Sequence, residues 1–286
     1  MELKIPFAKM SGAGNDFVVI DNRSAAITTE HQRQFARLLC HRKFGIGSDG
    51  LILLNTSKVA EFEMVYINSD GSSGAMCGNA GRCIARFAYS KGITGRILTF
   101  NALGYLYHAT VDEDVVKLSM KNPIRKKTNI KVSLEKIETI AHFIDTGAPH
   151  SIVFVEDLKL SHVDEVDIIK LGPLLRNHTI FGPLGTNANF VEVINDNTIK
   201  MRTYERGVEN ETLACGTGAV ASAIISNQLR GVKEPVNIIT KGGDTLTIHF
   251  DKEGDDIKNV LLQGGADIIY RGNINVDMDI MKITSK

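Results

Sequence analysis

The chain repeats itself once, and that repeat limits its fold more than any single motif does. Sliding the sequence along itself by about 138 residues sets "SGAGNDFVVID" from Ser11 against "TGAPHSIVFVED" from Thr146, and "FGIGSDGLILL" from Phe44 against "FGPLGTNANFVEV" from Phe181. In the same series Tyr66 meets Tyr204, Asn15 meets His150, and Cys77-Gly78 meets Cys215-Gly216. Solenoid repeats recur about every 20–50 residues, so a period this long points to a duplicated domain.

Each half reads as a glycine turn and an apolar strand, a helix, a second glycine turn and strand, a third strand, Cys-Gly, an apolar helix and a run of strands. In the first half strands are expected near 17–20, 51–54, 64–67, 97–100, 105–111 and 115–120. A helix over about 30–42 carries Phe35, Leu38 and Leu39 on one face, with Thr29 and Gln32 spaced as a capping box. The second half answers with strands near 152–155, 189–194, 199–204, 236–240, 245–250 and 258–262, and a helix near 164–177. Strands outnumber helices and do not alternate with them one for one, which predicts an α+β fold of two pseudo-symmetric domains with mixed or antiparallel sheets. The polar, proline-interrupted "NPIRKKTN" places the boundary in 123–135. The division is therefore 1–128 and 129–272, with 273–286 expected to rejoin the first half.

A chain of 286 residues is long enough for two cores of this size. Lys plus Arg and Asp plus Glu number 33 each, and the densest basic cluster is only Arg125-Lys126-Lys127, so neither a nucleic-acid nor a membrane partner is expected. The charge-free run "TLACGTGAVASAIISNQL" from Thr212 to Leu229 is too rich in Gly, Ser, Thr, Asn and Gln to span a bilayer, and reads as a helix buried in protein. The N-terminus lacks a continuous apolar segment and a small-residue cleavage site, which makes a cytoplasmic, reducing setting the expectation.

In that setting the four cysteines, 40, 77, 83 and 215, are expected to be thiols. No CxxC pair or zinc-ligand spacing occurs, so no metal or cofactor is expected. Cys40 and Cys83 sit inside helical patterns without a duplicate partner and read as core residues. Cys77 and Cys215 differ, because each precedes Gly and an apolar helical run, "CGNAGRCIARFAYSKG" and "CGTGAVASAIISNQLRG". A thiol at a helix N-terminus meets unpaired backbone N–H groups and the positive end of the helix dipole, which lower its pKa and also cradle a carboxylate. If the two halves face each other, two such thiols flank one cleft. One removes a proton from the carbon beside the carboxylate and the other returns one on the opposite face, inverting the centre without a cofactor. His150 and Asn15 occupy equivalent turns, and Glu205-Arg206 is suited to the ammonium and carboxylate of a zwitterion.

"KMSGAGNDFVVID", "FGIGSDGLILL", "NSDGSSGAMCGNAGRCIARF", "GTNANFVEV" and "YERGVENETLACGTGA" together resemble the diaminopimelate epimerase family over nearly the whole chain. The resemblance implies two similar domains, each a curled mixed sheet around a central helix, with the active site in the cleft between them, and a homodimer. It implies Cys77 as proton donor and Cys215 as acceptor in one direction, with His150 and Glu205 positioning the reacting amine. Gly78-Asn79 and Gly216-Thr217 would receive the reacting carboxylate, and Asn15, Asn68, Asn187 and Arg206 the distal amino-acid end. The chain departs from the family pattern at Ala148, where Asn is usual, at Gly50, where some members have Gln, and in the Ala80-Gly81 order of "CGNAGRC". A related racemase acting on proline, hydroxyproline or histidine, a thiol redox or metal-binding protein, and a non-catalytic amino-acid-binding module are the other readings of the same residues.

Overall fold

A computed structural model describes residues 2–74, 76–279 and 282–284. The elements follow in the order β1 (Glu2–Gly12), β2 (Asn15–Asp21), α1 (Gln32–Cys40), β3 (Gly50–Asn55), β4 (Phe62–Asn68), α2 (Gly78–Ser90), β5 (Ile97–Ala102), β6 (Tyr105–Asp112) and β7 (Val115–Ser119). They continue with β8 (Arg125–Leu134), β9 (Ile137–Asp145), β10 (Pro149–Phe154), α3 (Ile168–Arg176), β11 (Asn187–Asn195), β12 (Thr198–Glu205), β13 (Asn210–Thr212), α4 (Gly216–Arg230), β14 (Val236–Ile239), β15 (Thr245–Glu253), β16 (Asp256–Gly265), β17 (Asp267–Asp277) and β18 (Lys282–Thr284). Two compact units result, Met1–Leu118 with Gly264–Lys286, and Ser119–Gln263.

In the first unit β1 and β2 pair antiparallel, β2 and β3 parallel, β3 and β4 antiparallel, β4 and β5 parallel, and β5, β6 and β7 antiparallel. In the second unit β9, β10, β11, β12, β14 and β15 follow the same alternation, with β10 and β11 parallel, β12 and β14 parallel, and the other neighbours antiparallel. A parallel pair needs a crossover rather than a hairpin, and the four helices fill those four gaps. The α+β class and the duplication are thereby expressed in sheet topology. One difference lies beside the first strand of each series: β17, from the C-terminal end, pairs with β1, whereas β8 pairs with β9.

The two helices that follow the Cys-Gly pairs are the centres of their units. In α2 every residue from Gly78 to Ala85 is buried, and in α4 every residue from Gly218 to Ser226. Helices buried to this extent are enclosed by their sheets: α2 is packed by β1, β2, β3, β4 and β6, while α4 is packed by β9, β10, β11, β12, β14 and β15. This is the place of the charge-free run ending at Leu229. Among the described residues no helix is long and apolar enough to cross a membrane.

The shorter helices cover outer faces. α1 buries Phe35 and Leu39 against Ile20, Leu51 and Leu53 of the first unit. Its expected capping box does not form: the helix begins at Gln32 behind His31, and the Thr28 hydroxyl bonds the His31 ring at 2.8 Å. The helix expected over 164–177 divides into a short turn, Val163–Glu165, and α3, whose Asp167 cap accepts from the Lys170 N–H. The polar "NPIRKKTN" stretch is not a linker, because it enters strand β8, whose Ile130, Val132 and Leu134 alternate inward onto Leu171, Leu175 and Phe190. Its first residues carry charge on an exposed strand, which hides the period of two until Ile130.

Candidate active site

Each unit places its expected site residues around the start of its central helix. In the second unit Cys215 is the N-cap of α4, with extended backbone, and its carbonyl accepts the first helical bond from the Ala219 N–H at 2.8 Å. The N–H groups of Gly216, Thr217 and Gly218 thus precede any intrahelical acceptor. Cys77 caps α2 in the same way, its carbonyl accepting from the Gly81 N–H at 2.9 Å. The equivalence of the two Cys-Gly pairs is therefore one of backbone geometry as well as of sequence. Cys77 is half-buried and Cys215 buried.

Around Cys215 the side chains form a continuous series. The Cys215 Sγ lies 3.6 Å from the Thr217 Oγ1, which lies 2.9 Å from the His150 Nε2. His150 Nδ1 is 3.2 Å from the Asn189 amide nitrogen, which also donates to the Ser151 carbonyl at 2.9 Å. Thr203 donates to the Asn189 amide oxygen at 2.9 Å. His150 lies on β10 and is completely enclosed, and its burial pushes the imidazole down to about 3, so the ring is neutral at ordinary pH. The Thr146 hydroxyl donates to the Thr217 carbonyl at 2.9 Å, tying the glycine turn to the helix start.

Asn187 joins the other expected binding residues of this unit. Its amide donates to the Pro149 carbonyl at 3.1 Å and accepts from the Arg206 N–H at 2.9 Å, so the Glu205-Arg206 turn is held beside the His150 strand. Glu205 ends β12 with its carboxyl raised above the usual range by burial, partly opposed by the Thr212 side chain. Burial disfavours the charged form of a carboxyl, and a cation beside it would offset that cost.

The first unit uses amides and full charges instead. Asn79, one residue into α2, donates to the Asn15 amide oxygen at 2.7 Å, and Asn15 donates to Asp49 at 3.0 Å. Arg82, buried in α2, donates to the Asn79 amide oxygen at 3.0 Å. Arg42 bridges Asp16 and Asp49, and Lys9 also pairs with Asp16 at 2.6 Å. Burial alone would raise Asp16, but the hydrogen bonds from Arg42 and Lys9 outweigh it and hold the carboxyl down at about 2. Asn68 stands at the end of β4, its amide donating to Ser72 at 2.9 Å, and the next residue's N–H donates to the Asp49 carbonyl at 3.0 Å. Asn15, Asn68, Cys77, Gly78 and Asn79 thus share one bonded neighbourhood in this unit, and His150, Asn187, Glu205, Arg206, Cys215, Gly216 and Thr217 share another in theirs.

The remaining thiols are of the ordinary core kind. Burial pushes Cys40 up to about 11 and Cys83 up to about 12. Asp49, Asn189, Thr203 and Gly218 are among the participants not singled out from sequence, as are Lys9, Asp16, Arg42 and Arg82. Asn189 was legible in principle, since "NAN" puts Asn187 and Asn189 on the same face of a strand.

The model of the family "Diaminopimelate epimerase" matches residues 7–125 and 142–267. The chain is 42% identical to the diaminopimelate epimerase of Aquifex aeolicus over 283 residues, covering 95% of this chain and 98% of that one. It is 43% identical to the diaminopimelate epimerase of Chlorobaculum tepidum, covering 93% of this chain and all of the relative. The chain belongs to the diaminopimelate epimerase family. Its fold extends further: a probable proline racemase from Agrobacterium radiobacter K84 superposes with a TM-score of 0.70 at 15% identity, covering 94% of this chain and 92% of that one.

Set in that family, two of the sequence departures have physical reasons here. A side chain at Gly50 would begin 2.4 Å from the Tyr66 ring, so the packed tyrosine leaves no room for a longer residue there. The Ala80-Gly81 order in α2 and the Gly218-Ala219 order in α4 reflect different neighbours. A Cβ at Gly81 would meet Leu118 at 2.7 Å, whereas one at Gly218 would meet the Asn189 amide oxygen at 2.6 Å.

Proposed function

We propose that this protein is a cofactor-independent isomerase that interconverts LL-2,6-diaminopimelate and meso-2,6-diaminopimelate, a step supplying lysine and peptidoglycan precursors. The observation that carries the reading is the duplicated thiol: one cysteine per unit, each the N-cap of the unit's buried central helix. The names borne by relatives 42% and 43% identical supply the substrate.

In the forward direction the Cys215 thiolate takes the α-hydrogen as a proton. The electron pair of the C–H bond passes to the α-carbon and its carboxylate, and the Cys77 thiol delivers a proton to the opposite face. Cys215 ends as thiol and Cys77 as thiolate, so the reverse reaction needs no external acid or base. The N–H groups of Gly78-Asn79 and Gly216-Thr217 take the reacting carboxylate and stabilise the charge that grows on it. Glu205 receives the reacting ammonium, and His150 supports the site through Thr217. Asn15, Asn68, Asn187 and Arg206 hold the distal amino-acid terminus, Arg206 through its planar fork. Only a substrate with two polar amino-acid ends uses all of these groups, which favours diaminopimelate over proline, hydroxyproline or histidine.

The protein acts in the cytoplasm on this small molecule, as a homodimer, with no nucleic-acid or membrane partner. Purified protein incubated with the LL-isomer in D₂O is expected to form the meso isomer with deuterium at one α-carbon. Absence of exchange, or faster turnover of proline, hydroxyproline or histidine in a panel, sinks the assignment. Light scattering of the purified chain tests the dimer.

A further inference from the structure

The hydrogen bonds that lead from Thr203 to Cys215 have a direction, and one amide sets it. Asn189 holds its nitrogen 2.9 Å from the Ser151 carbonyl, a group that only accepts. The flipped amide would place oxygen against oxygen there, so the nitrogen is fixed on that side, and the Thr203 hydroxyl serves the oxygen at 2.9 Å. The second hydrogen of the same NH₂ group faces His150 Nδ1 at 3.2 Å, nearer than the Asn187 carbonyl at 3.4 Å. An amide NH₂ has no lone pair to offer, so Nδ1 is the acceptor and the proton of the neutral ring resides on Nε2. That Nε2–H then donates to Thr217 Oγ1 at 2.9 Å, and the hydroxyl's own hydrogen is left for the Cys215 Sγ at 3.6 Å.

We propose that Asn189 is a positioning residue of the epimerase: by fixing His150 as the Nε2–H tautomer it commits the Thr217 hydroxyl to donate to Cys215, and His150 exchanges no proton during turnover. This rests on Cys215 being one of the two acid–base thiols. The opposite tautomer would set an imidazole N–H against an amide N–H in a site closed to water, leaving a buried donor unmet. Complete enclosure keeps the ring from charging, and the two charged groups whose fields reach it, Asp145 and Arg206, act in opposite senses. Asp145 is itself bound to Arg125 at 2.6 Å. The approach of α4 to Asn189 is close enough to demand glycine: a Cβ at Gly218 would stand 2.6 Å from the Asn189 oxygen and 3.3 Å from the Cys215 sulfur.

A thiolate is a better acceptor than a thiol, so the committed hydroxyl favours the ionised form of Cys215. The first unit carries other side chains at the matching positions. There the residues equivalent to His150 and Thr217 are Asn15 and Asn79, joined amide to amide at 2.7 Å, with no hydroxyl and no ring to orient.

The test reads Cys215 and His150 without requiring turnover. The pH dependence of Cys215 alkylation by iodoacetamide, followed by peptide mass spectrometry, is compared in the full-length wild type, Thr217→Val, Thr217→Ser and Asn189→Asp. The expected result is an upward displacement of the thiol titration by about one unit or more in Thr217→Val, equal to roughly tenfold slower alkylation below it, with Thr217→Ser close to wild type. Asn189→Asp, whose carboxylate accepts from Nδ1–H and reverses the ring, is expected to match Thr217→Val. If that variant does not fold, the Thr217 pair and the wild-type ring decide. Long-range ¹H–¹⁵N NMR of His150 should show the neutral Nε2–H form throughout about pH 5–8. Coincident alkylation profiles for Thr217→Val and wild type overturn the proposal, as does an Nδ1–H ring or one that gains a proton in that range. If these readouts hold while wild-type protein exchanges no deuterium into diaminopimelate, the relay stands and the epimerase assignment is what fails.

Discussion

The two units support the same backbone device with unlike chemistry. Each sets a cysteine before a buried helix and leaves the first N–H groups of that helix without intrahelical partners. Beneath Cys77 the supports are Asn79, Asn15, Asp49 and the ion-paired Arg42, Asp16 and Lys9. Beneath Cys215 they are Thr217, His150, Asn189 and Thr203, none of them charged. Duplication has preserved the helix start and its N–H groups and has let the side chains beside the thiols diverge. The lesson is that the two thiols are equivalent in backbone placement and different in surroundings.

The largest effects come from removing either thiol. Cys77→Ala and Cys215→Ala are each expected to lower epimerisation by at least about 10²–10⁴-fold, while thermal unfolding stays near wild type because both residues cap helices rather than fill cores. A large drop in melting temperature would return these residues to a structural role. Gly218→Ala comes next. It should destabilise the protein by about 1–3 kcal/mol in urea unfolding and impair turnover as well, since the methyl presses on a bonded, immobile amide. Gly81→Ala presses on the ends of the Leu118 and Met76 side chains, and is expected to affect stability with little change in turnover. Equal loss of turnover in both variants would erase the distinction between the two helix starts.

Asp49→Asn removes the charge that takes the Asn15 amide and half of the Arg42 bridge. Michaelis constants are expected to rise about tenfold, the cost of roughly 1.4 kcal/mol of uniform binding, with kcat nearly unchanged. A fall in kcat at constant KM would move Asp49 from substrate binding to chemistry. The smallest effect concerns acid. Burial pushes His142 and His150, both in the second unit, down to about 4 and about 3 from 6.5. The unfolded chain therefore takes up their protons first, so stability fully present above 6.5 is lost as pH falls from there toward the folded values. Asp16 in the first unit, held at about 2 against 3.8, contributes stability that fades only below 3.8. Hydrogen exchange near pH 5 should thus show α4 and β10 opening more readily than at pH 7, with α2 and β2 less altered, and His142→Gln should reduce that dependence. Uniform acid sensitivity in the two units would contradict it.

Much of this was open to reading in the sequence, because duplication doubled each signal. Glycine turns, apolar strands and Cys-Gly helix starts recur in order, and a feature seen twice at one offset is hard to attribute to a generic turn. What escaped reading had identifiable causes. Strand β8 begins with exposed Arg and Lys, and β1 and β17 depend on each other as partners from opposite ends of the chain. The Thr29 cap failed because Thr28 found the His31 ring first. In the site, Asp49 and Asn189 bind other side chains rather than extend a motif, and nothing local announces such a partner. The necessity of Gly218 is a statement about Asn189, which lies 29 residues earlier and is brought near only by the packing of α4 on β11.

The account's central claim is that each thiol serves one face of one α-carbon. It is tested most directly by following α-hydrogen exchange in D₂O for Cys77→Ala and Cys215→Ala, each offered the LL and the meso isomer separately. Each variant is expected to lose inversion yet to exchange, slowly and with retention, only the isomer whose proton faces its remaining thiol, and the two variants should choose opposite isomers. Both variants exchanging the same isomer, or either one still inverting it, would contradict the claim.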